Sequence, residues 1–253
     1  MLVLAKVVGG SHMYGLNTPA SDYDERYVFM HDEIGPTIGL ERFEHLDERG
    51  GEEDKFGFEL RHYLNLMRKT NSQVIEIVFA KSYLELHPFF DELIIKNRHR
   101  LLDTKKMFKS LIGYMHGERK LANGERTGTL GKRKDAIEQY GFSPKNFVQL
   151  FRLAACGVEF IKTQKFPTNV HDHDPKLASW LMELKTKPHL FNKEQLNEMV
   201  DEVEAELKGV FDRRDVSKDL IFDEKLANEI LLQFYFPVLA KHYGALRLNL
   251  NTK

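Results

Sequence analysis

The sequence predicts an α+β protein, with a small mixed αβ layer over residues 1–85 followed by a helical C-terminal domain over residues 86–253. Three observations carry this. The first third alternates short β-rich runs with loops, and beyond His87-Pro88 the chain turns to long 3.6-residue periods. Hydrophobic residues make up 42% of the 253, enough to bury a real core and to exclude a disordered chain.

The elements follow in order. Leu2 to Val8 and Tyr23 to Met30 read as strands, and Lys55 to Phe58 as a shorter third. Glu59 to Thr70 reads as a helix, because Leu60, Tyr63, Leu64 and Met67 fall at i, i+3, i+4 and i+7. Asn71-Ser72 ends it ahead of a buried-looking run, Val74 to Phe79. In the second part, Lys105 to Leu121 carries Phe108, Leu111, Ile112 and Met115 on helical spacing. Ser143-Pro144 reads as an N-cap with proline at N1, opening a helix to about Lys162. Glu194 to Phe211 and Asp223 to Tyr243 make two more, the last bent or ended near Pro237.

Charge and cysteine usage narrow the classes of function. Lys and Arg number 37 against 38 Asp and Glu, so no global field announces a nucleic acid or a membrane, and any binding surface is a local patch. A single cysteine, Cys156, excludes a disulfide framework and a cysteine-rich zinc site. No apolar run approaches the ~18 residues that span a bilayer. No leader-like segment precedes the first motif, so a cytoplasmic protein with no membrane partner is expected. Gly10-Ser11-His12-Met13 matches a common remnant of cleaved tags, but a strand-like run leads into it and it reads as native.

The chemistry concentrates near the N-terminus. Gly9-Gly10-Ser11 follows an apolar strand directly, and the chain then reads Asp22-Tyr23-Asp24. Residues i and i+2 of a strand share a face, so Asp22 and Asp24 are expected side by side. Two carboxylates that close repel unless a cation lies between them, and hard oxygen ligands suit Mg²⁺ or Mn²⁺. The glycines let backbone N–H groups approach a phosphate chain, and the Ser11 hydroxyl adds a hydrogen bond. A third carboxylate is wanted to complete such a site. Asp54 is the first candidate, with Glu59 and Glu76 as competitors and three acids in a row at Glu52-Glu53-Asp54.

Gly10-Ser11 followed by Asp22-x-Asp24 resembles the signature of DNA polymerase β superfamily nucleotidyltransferases. The string from Gly10 to Arg26 is similar to one branch, predicted nucleotidyltransferases of bacteria and phages described as an RNA repair pathway polymerase-β family. Leu60-Arg61 through Ile75-Glu76, Tyr140 to Lys145 and Leu150 to Leu153 resemble that branch too, including its helix, turn and Leu-Glu-Leu strand. Tyr27 and Ser72 depart from it, standing where glycine and proline are usual.

The resemblance implies a minimal palm over residues 1–85, with the nucleotide held between it and the helical domain. It also implies transfer of a nucleoside monophosphate from ATP or another nucleoside triphosphate to a hydroxyl. Asp22, Asp24 and Asp54 would be catalytic and bind Mg²⁺ or Mn²⁺, while Gly10, Ser11, Ser21, Lys145 and Arg152 would bind the nucleotide. The acceptor would be an RNA end, a protein hydroxyl or a small molecule. An idle nucleotide or nucleic-acid binding module and a purely structural protein are the rival classes.

Other features read more plainly. His12 and His31 are polar residues beside loops, and His171-Asp172-His173-Asp174 cannot converge on one ion from consecutive positions. Lys132-Arg133-Lys134, with Arg119, Lys120 and Arg126, is the one basic cluster suited to a polynucleotide or a triphosphate, and is otherwise a solvated loop. Lys145 and Arg152 lie seven apart and share a helix face. Glu194 to Glu206 reads as a solvated face and Cys156 as a small core residue.

Overall fold

The computed structural model describes residues 1–38, 43–48, 53–125 and 131–250. It is α+β, as the periodicities predict, and its sheet is mixed and five-stranded. The chain forms two compact units: Met1–Gly10 with Ser21–Asp103 and Leu220–Lys253, and Ser11–Ala20 with Thr104–Asp219.

In the first unit, β1 (Leu2–Val8) runs into the short helix α1 (Gly10–Tyr14), within which the chain passes to the second unit. The sheet continues with β2 (Tyr23–Met30), β3 (His45–Glu48), β4 (Glu53–Glu59) and β5 (Glu85–Leu86), in the order β3-β4-β2-β1-β5. The β1–β2 pair is antiparallel and the β2–β4 pair parallel. A parallel pair needs a crossover, and the chain makes it through α2 (Ile34–Ile38) and the edge strand β3. Leu4 and Ala5, and Val28 and Phe29, are fully buried neighbours on their strands. Both faces of the central sheet are therefore covered, which is why these strands read as apolar runs and not as alternation.

The helix α3 (Leu60–Arg68) buries Leu60, Tyr63, Leu64 and Met67, the predicted stripe. The run from Val74 is not the strand that the resemblance implies. It is the helix α4 (Ser72–Val78), capped by Asn71, whose side chain accepts the amide of Gln73 at 2.9 Å. Val74, Ile75, Glu76, Ile77 and Val78 are all buried, and a helix covered all round shows no amphipathic period to distinguish it from a buried strand. The short α5 (Pro88–Phe90) follows.

The second unit contains α6 (Thr104–Ala122), α7 (Lys132–Tyr140), α8 (Pro144–Thr163), α9 (Val170–His173), α10 (Pro175–Thr186) and α11 (Lys193–Asp212). At its centre α8 packs on α6, α10 and α11. Gly157 allows the approach of α6, since a Cβ there would lie 2.5 Å from Cδ1 of Leu111. Pro144 starts α8 as expected, but the Ser143 hydroxyl donates to Oδ1 of Asn146 at 2.7 Å and makes no cap bond to the backbone.

The last helix, α12 (Glu224–Leu250), belongs to the first unit and runs through Pro237 without ending there. Proline removes the bond to the carbonyl of Gln233, and both residues are exposed. Asp223 seats the start of α12: its amide donates to the Arg100 carbonyl at 2.8 Å and its carboxylate pairs with Arg100 at 2.6 Å. No helix among the described residues is long and apolar enough to cross a membrane.

Candidate active site

The predicted motif lies at one end of the sheet, where β1 finishes and β2 and β4 begin. The amide of Gly9 donates to the Asp24 carbonyl at 2.7 Å, extending the β1–β2 ladder beyond Val8. Gly10 then turns with φ +57°, a left-handed conformation that glycine adopts without strain. A Cβ at Gly10 would fall on Oδ2 of Asp24 and 2.8 Å from its Cγ. The missing side chain of Gly10 is thus the space that the Asp24 carboxylate occupies.

Asp24 and Asp54 are register partners on the parallel strands β2 and β4. Their side chains leave the same face of the sheet, from strands about 4.8 Å apart. Asp22 stands differently. It is exposed and precedes β2, whose pairing begins at Tyr23 opposite Glu53, so strand alternation does not extend to it. Among the described residues no group of three or more His, Cys, Asp and Glu side chains is gathered to hold a metal. Mg²⁺ is commonly held by only one or two carboxylates together with substrate phosphates, and the oxygen donors of Asp24 and Asp54 fit that demand.

The competing carboxylates have other work. Glu76 is buried and pairs with Arg26 at 2.9 Å, and the stem of that arginine lies beside Gly9, 3.0 Å from where its Cβ would be. Glu59 is the N-cap of α3, accepting the amides of Arg61 at 2.9 Å and His62 at 3.2 Å, and it accepts the Tyr235 hydroxyl as well. Burial raises the Glu59 carboxyl above its ordinary pKa, against the lowering effect of those amides. Glu52 lies outside the described residues.

Ser11 lies in α1, in the second unit, where its carbonyl accepts the Leu16 amide at 2.9 Å. Ser21 is half-buried and belongs to no strand. Lys145 and Arg152 do not share an environment. Lys145 is exposed, whereas Arg152 is fully buried with its guanidinium 3.5 Å from the ring centroid of Tyr14. The helix around Arg152 is buried on several sides, so a common angular position does not make a common surface.

The basic cluster is divided among partners. Arg119 binds Asp201 at 2.5 Å and Asn197 at 2.8 Å, which holds the Asp201 carboxyl below its ordinary pKa. Arg133 donates to Asn146 at 3.1 Å and Lys134 lies 3.6 Å from Glu138, while Lys120 is exposed and Arg126 lies outside the described residues. In the His171–Asp174 run, Asp174 caps α10 through the amides of Lys176 and Leu177. His12 is half-buried, and His31 packs edge-on against Phe29 and Phe43, where burial lowers its pKa. Cys156 is buried and donates to the Pro167 carbonyl. A cavity of about 680 Å³ in the second unit is lined by Lys162, Gln164, Arg213 and Arg214 among others, and none of the predicted site residues reaches it.

Sequence reasoning missed Arg26 as the partner of Glu76, although it stands inside the quoted motif. Tyr14, Asn169 and Lys185, which hold the segment after Ser11, also escaped it. No local pattern signals the last two. A family model described as the RNA repair pathway DNA polymerase beta family, RlaP, matches residues 1–232. No curated protein matches the chain.

Proposed function

The chain belongs to the RNA repair pathway DNA polymerase beta family, and on that premise we propose that it is a metal-dependent nucleotidyltransferase. It transfers a nucleoside monophosphate from a nucleoside triphosphate to a hydroxyl, and the family description favours an RNA end as acceptor. The acceptor oxygen bonds to the α-phosphorus, the bond to the bridging oxygen breaks, pyrophosphate leaves, and the acceptor proton passes to solvent. The five-stranded sheet with α3 and α4 serves as a minimal palm, and α6 to α11 form the helical domain.

The observation that carries this reading is the placement of Asp24 and Asp54 on adjacent parallel strands, with Gly10 leaving room for the Asp24 carboxylate. Asp24 and Asp54 would hold Mg²⁺ or Mn²⁺, with Asp22 two residues away as a further ligand. The ion supplies charge neutralisation at the triphosphate and a lowered pKa for the acceptor hydroxyl. The N–H groups of the glycine turn and the hydroxyl of Ser11 bind phosphate oxygens. Arg26 and Glu76 brace the strand that bears Asp24.

The test supplies each labelled nucleoside triphosphate with Mg²⁺ or Mn²⁺ and a mixed pool of RNA, protein and small-molecule acceptors. Label entering one acceptor class from the wild-type protein, and none from Asp24→Asn, is the expected result. Label transfer that survives both Asp24→Asn and Asp54→Asn overturns the reading.

A further inference from the structure

Arg152 is the largest fully buried side chain described. A buried cation is costly unless the surroundings compensate it, and here the guanidinium lies over the Tyr14 ring with Cζ 3.5 Å from its centroid. Nε also donates to Oε1 of Gln149 at 3.2 Å. Tyr14, 7% exposed, is the last residue of α1, the turn that begins at Gly10 and carries Ser11.

Two further anchors hold the same segment. Gly15, at φ +70°, passes so close to Asn169 that a Cβ would lie 2.8 Å from its Oδ1. Lys185 on α10 donates to the Leu16 carbonyl at 2.6 Å, and the Leu16 amide closes the turn on the Ser11 carbonyl at 2.9 Å. Three residues from separate places in the helical unit thus fix one short stretch. A phosphate-binding hydroxyl gains from being held before substrate arrives, since its orientation then costs nothing during reaction.

We propose that Arg152 is a positioning residue that fixes the Ser11 segment through the ring of Tyr14 and does not itself meet substrate. The proposal rests on the nucleotidyltransferase reading above. It differs from a direct contact in what it requires of Tyr14: a ring face beneath the guanidinium.

The test compares Tyr14→Leu, Tyr14→Phe and Arg152→Lys by steady-state nucleotide transfer and by amide hydrogen exchange. Tyr14→Leu and Arg152→Lys should raise KM for the nucleoside triphosphate about tenfold, the scale of a desolvated cation–π contact, and Tyr14→Phe should restore it. Loss of folded protein alone lowers kcat and leaves KM in place. Combined with Ser11→Ala, Tyr14→Leu should add no further loss, because both act at one hydroxyl; additive losses overturn the proposal. Exchange at the Leu16 amide should quicken in Tyr14→Leu and Arg152→Lys while the amides of α8 stay protected. A wild-type protein that transfers no nucleotide sinks the functional reading, and exchange then decides the anchor: an unchanged Leu16 amide in both variants overturns it.

Discussion

Gly10 and Asp24 share one space: the carboxylate of Asp24 lies where any Cβ at residue 10 would have to be. The left-handed φ of Gly10 adds a second reason for glycine there. Gly10→Ala is expected to cost about 1–2 kcal/mol of stability from the backbone alone, read by urea denaturation. Transfer activity per folded molecule should fall further, because Asp24 must rotate out of its place. Activity in proportion to the folded fraction would remove Asp24 from the chemistry.

Asp54 and its competitors as third carboxylate should separate by the kind of damage they cause. Asp54→Asn should lose roughly two to three orders of magnitude in kcat, the scale of several kcal/mol of lost charge stabilisation, with little change in melting temperature. Glu76→Gln should instead lose about 1.5–3 kcal/mol of stability, since it weakens a buried bond to the Arg26 guanidinium. If Asp54→Asn is fully active, Asp54 is a strand residue and nothing more.

Glu59 makes a pH-dependent contribution whose sign can be stated. Burial raises its folded-state pKa above the unfolded value. The stability linked to that shift is therefore present below the unfolded pKa and lost as pH rises through the folded one. Glu59→Gln does not titrate, so its stability relative to wild type should improve between about pH 4, near the unfolded carboxylate range, and neutrality. Denaturation curves at several pH values measure this, and a difference that stays constant with pH would contradict it.

If the acceptor is RNA and its path crosses α7, Lys134 is the cation to neutralise, because it is exposed and pairs only loosely with Glu138 at 3.6 Å. Lys134→Gln should reduce the slope of log K against log salt by about 0.7 for a single strand. Arg119→Gln should act on stability through Asn197 and Asp201 and leave the slope alone. Equal slopes for Lys134→Gln and wild type take this helix off the path.

What the sequence determined by itself was local. Leu2–Val8 and Tyr23–Met30 are strands because β-rich runs of that length stop at glycine and loop residues, and α3 and α8 follow from an apolar period and from Ser143-Pro144. The family, too, was legible in the string from Gly10 to Arg26. Tertiary structure decided everything that depends on which distant residues meet. Asp54 lies beside Asp24 only because β2 and β4 pair in parallel across an intervening crossover, and no spacing in the chain encodes that register. Glu59 became a helix cap and Glu76 the partner of Arg26 for the same reason: a carboxylate's role is set by the donors around it. Val74–Val78 was ambiguous because full burial erases the period that separates helix from strand. Arg152 shows the limit most sharply. Its place on the helix was readable, but its burial against Tyr14 comes from packing between segments far apart in the chain, and packing is a property of neighbours that a sequence does not list in order.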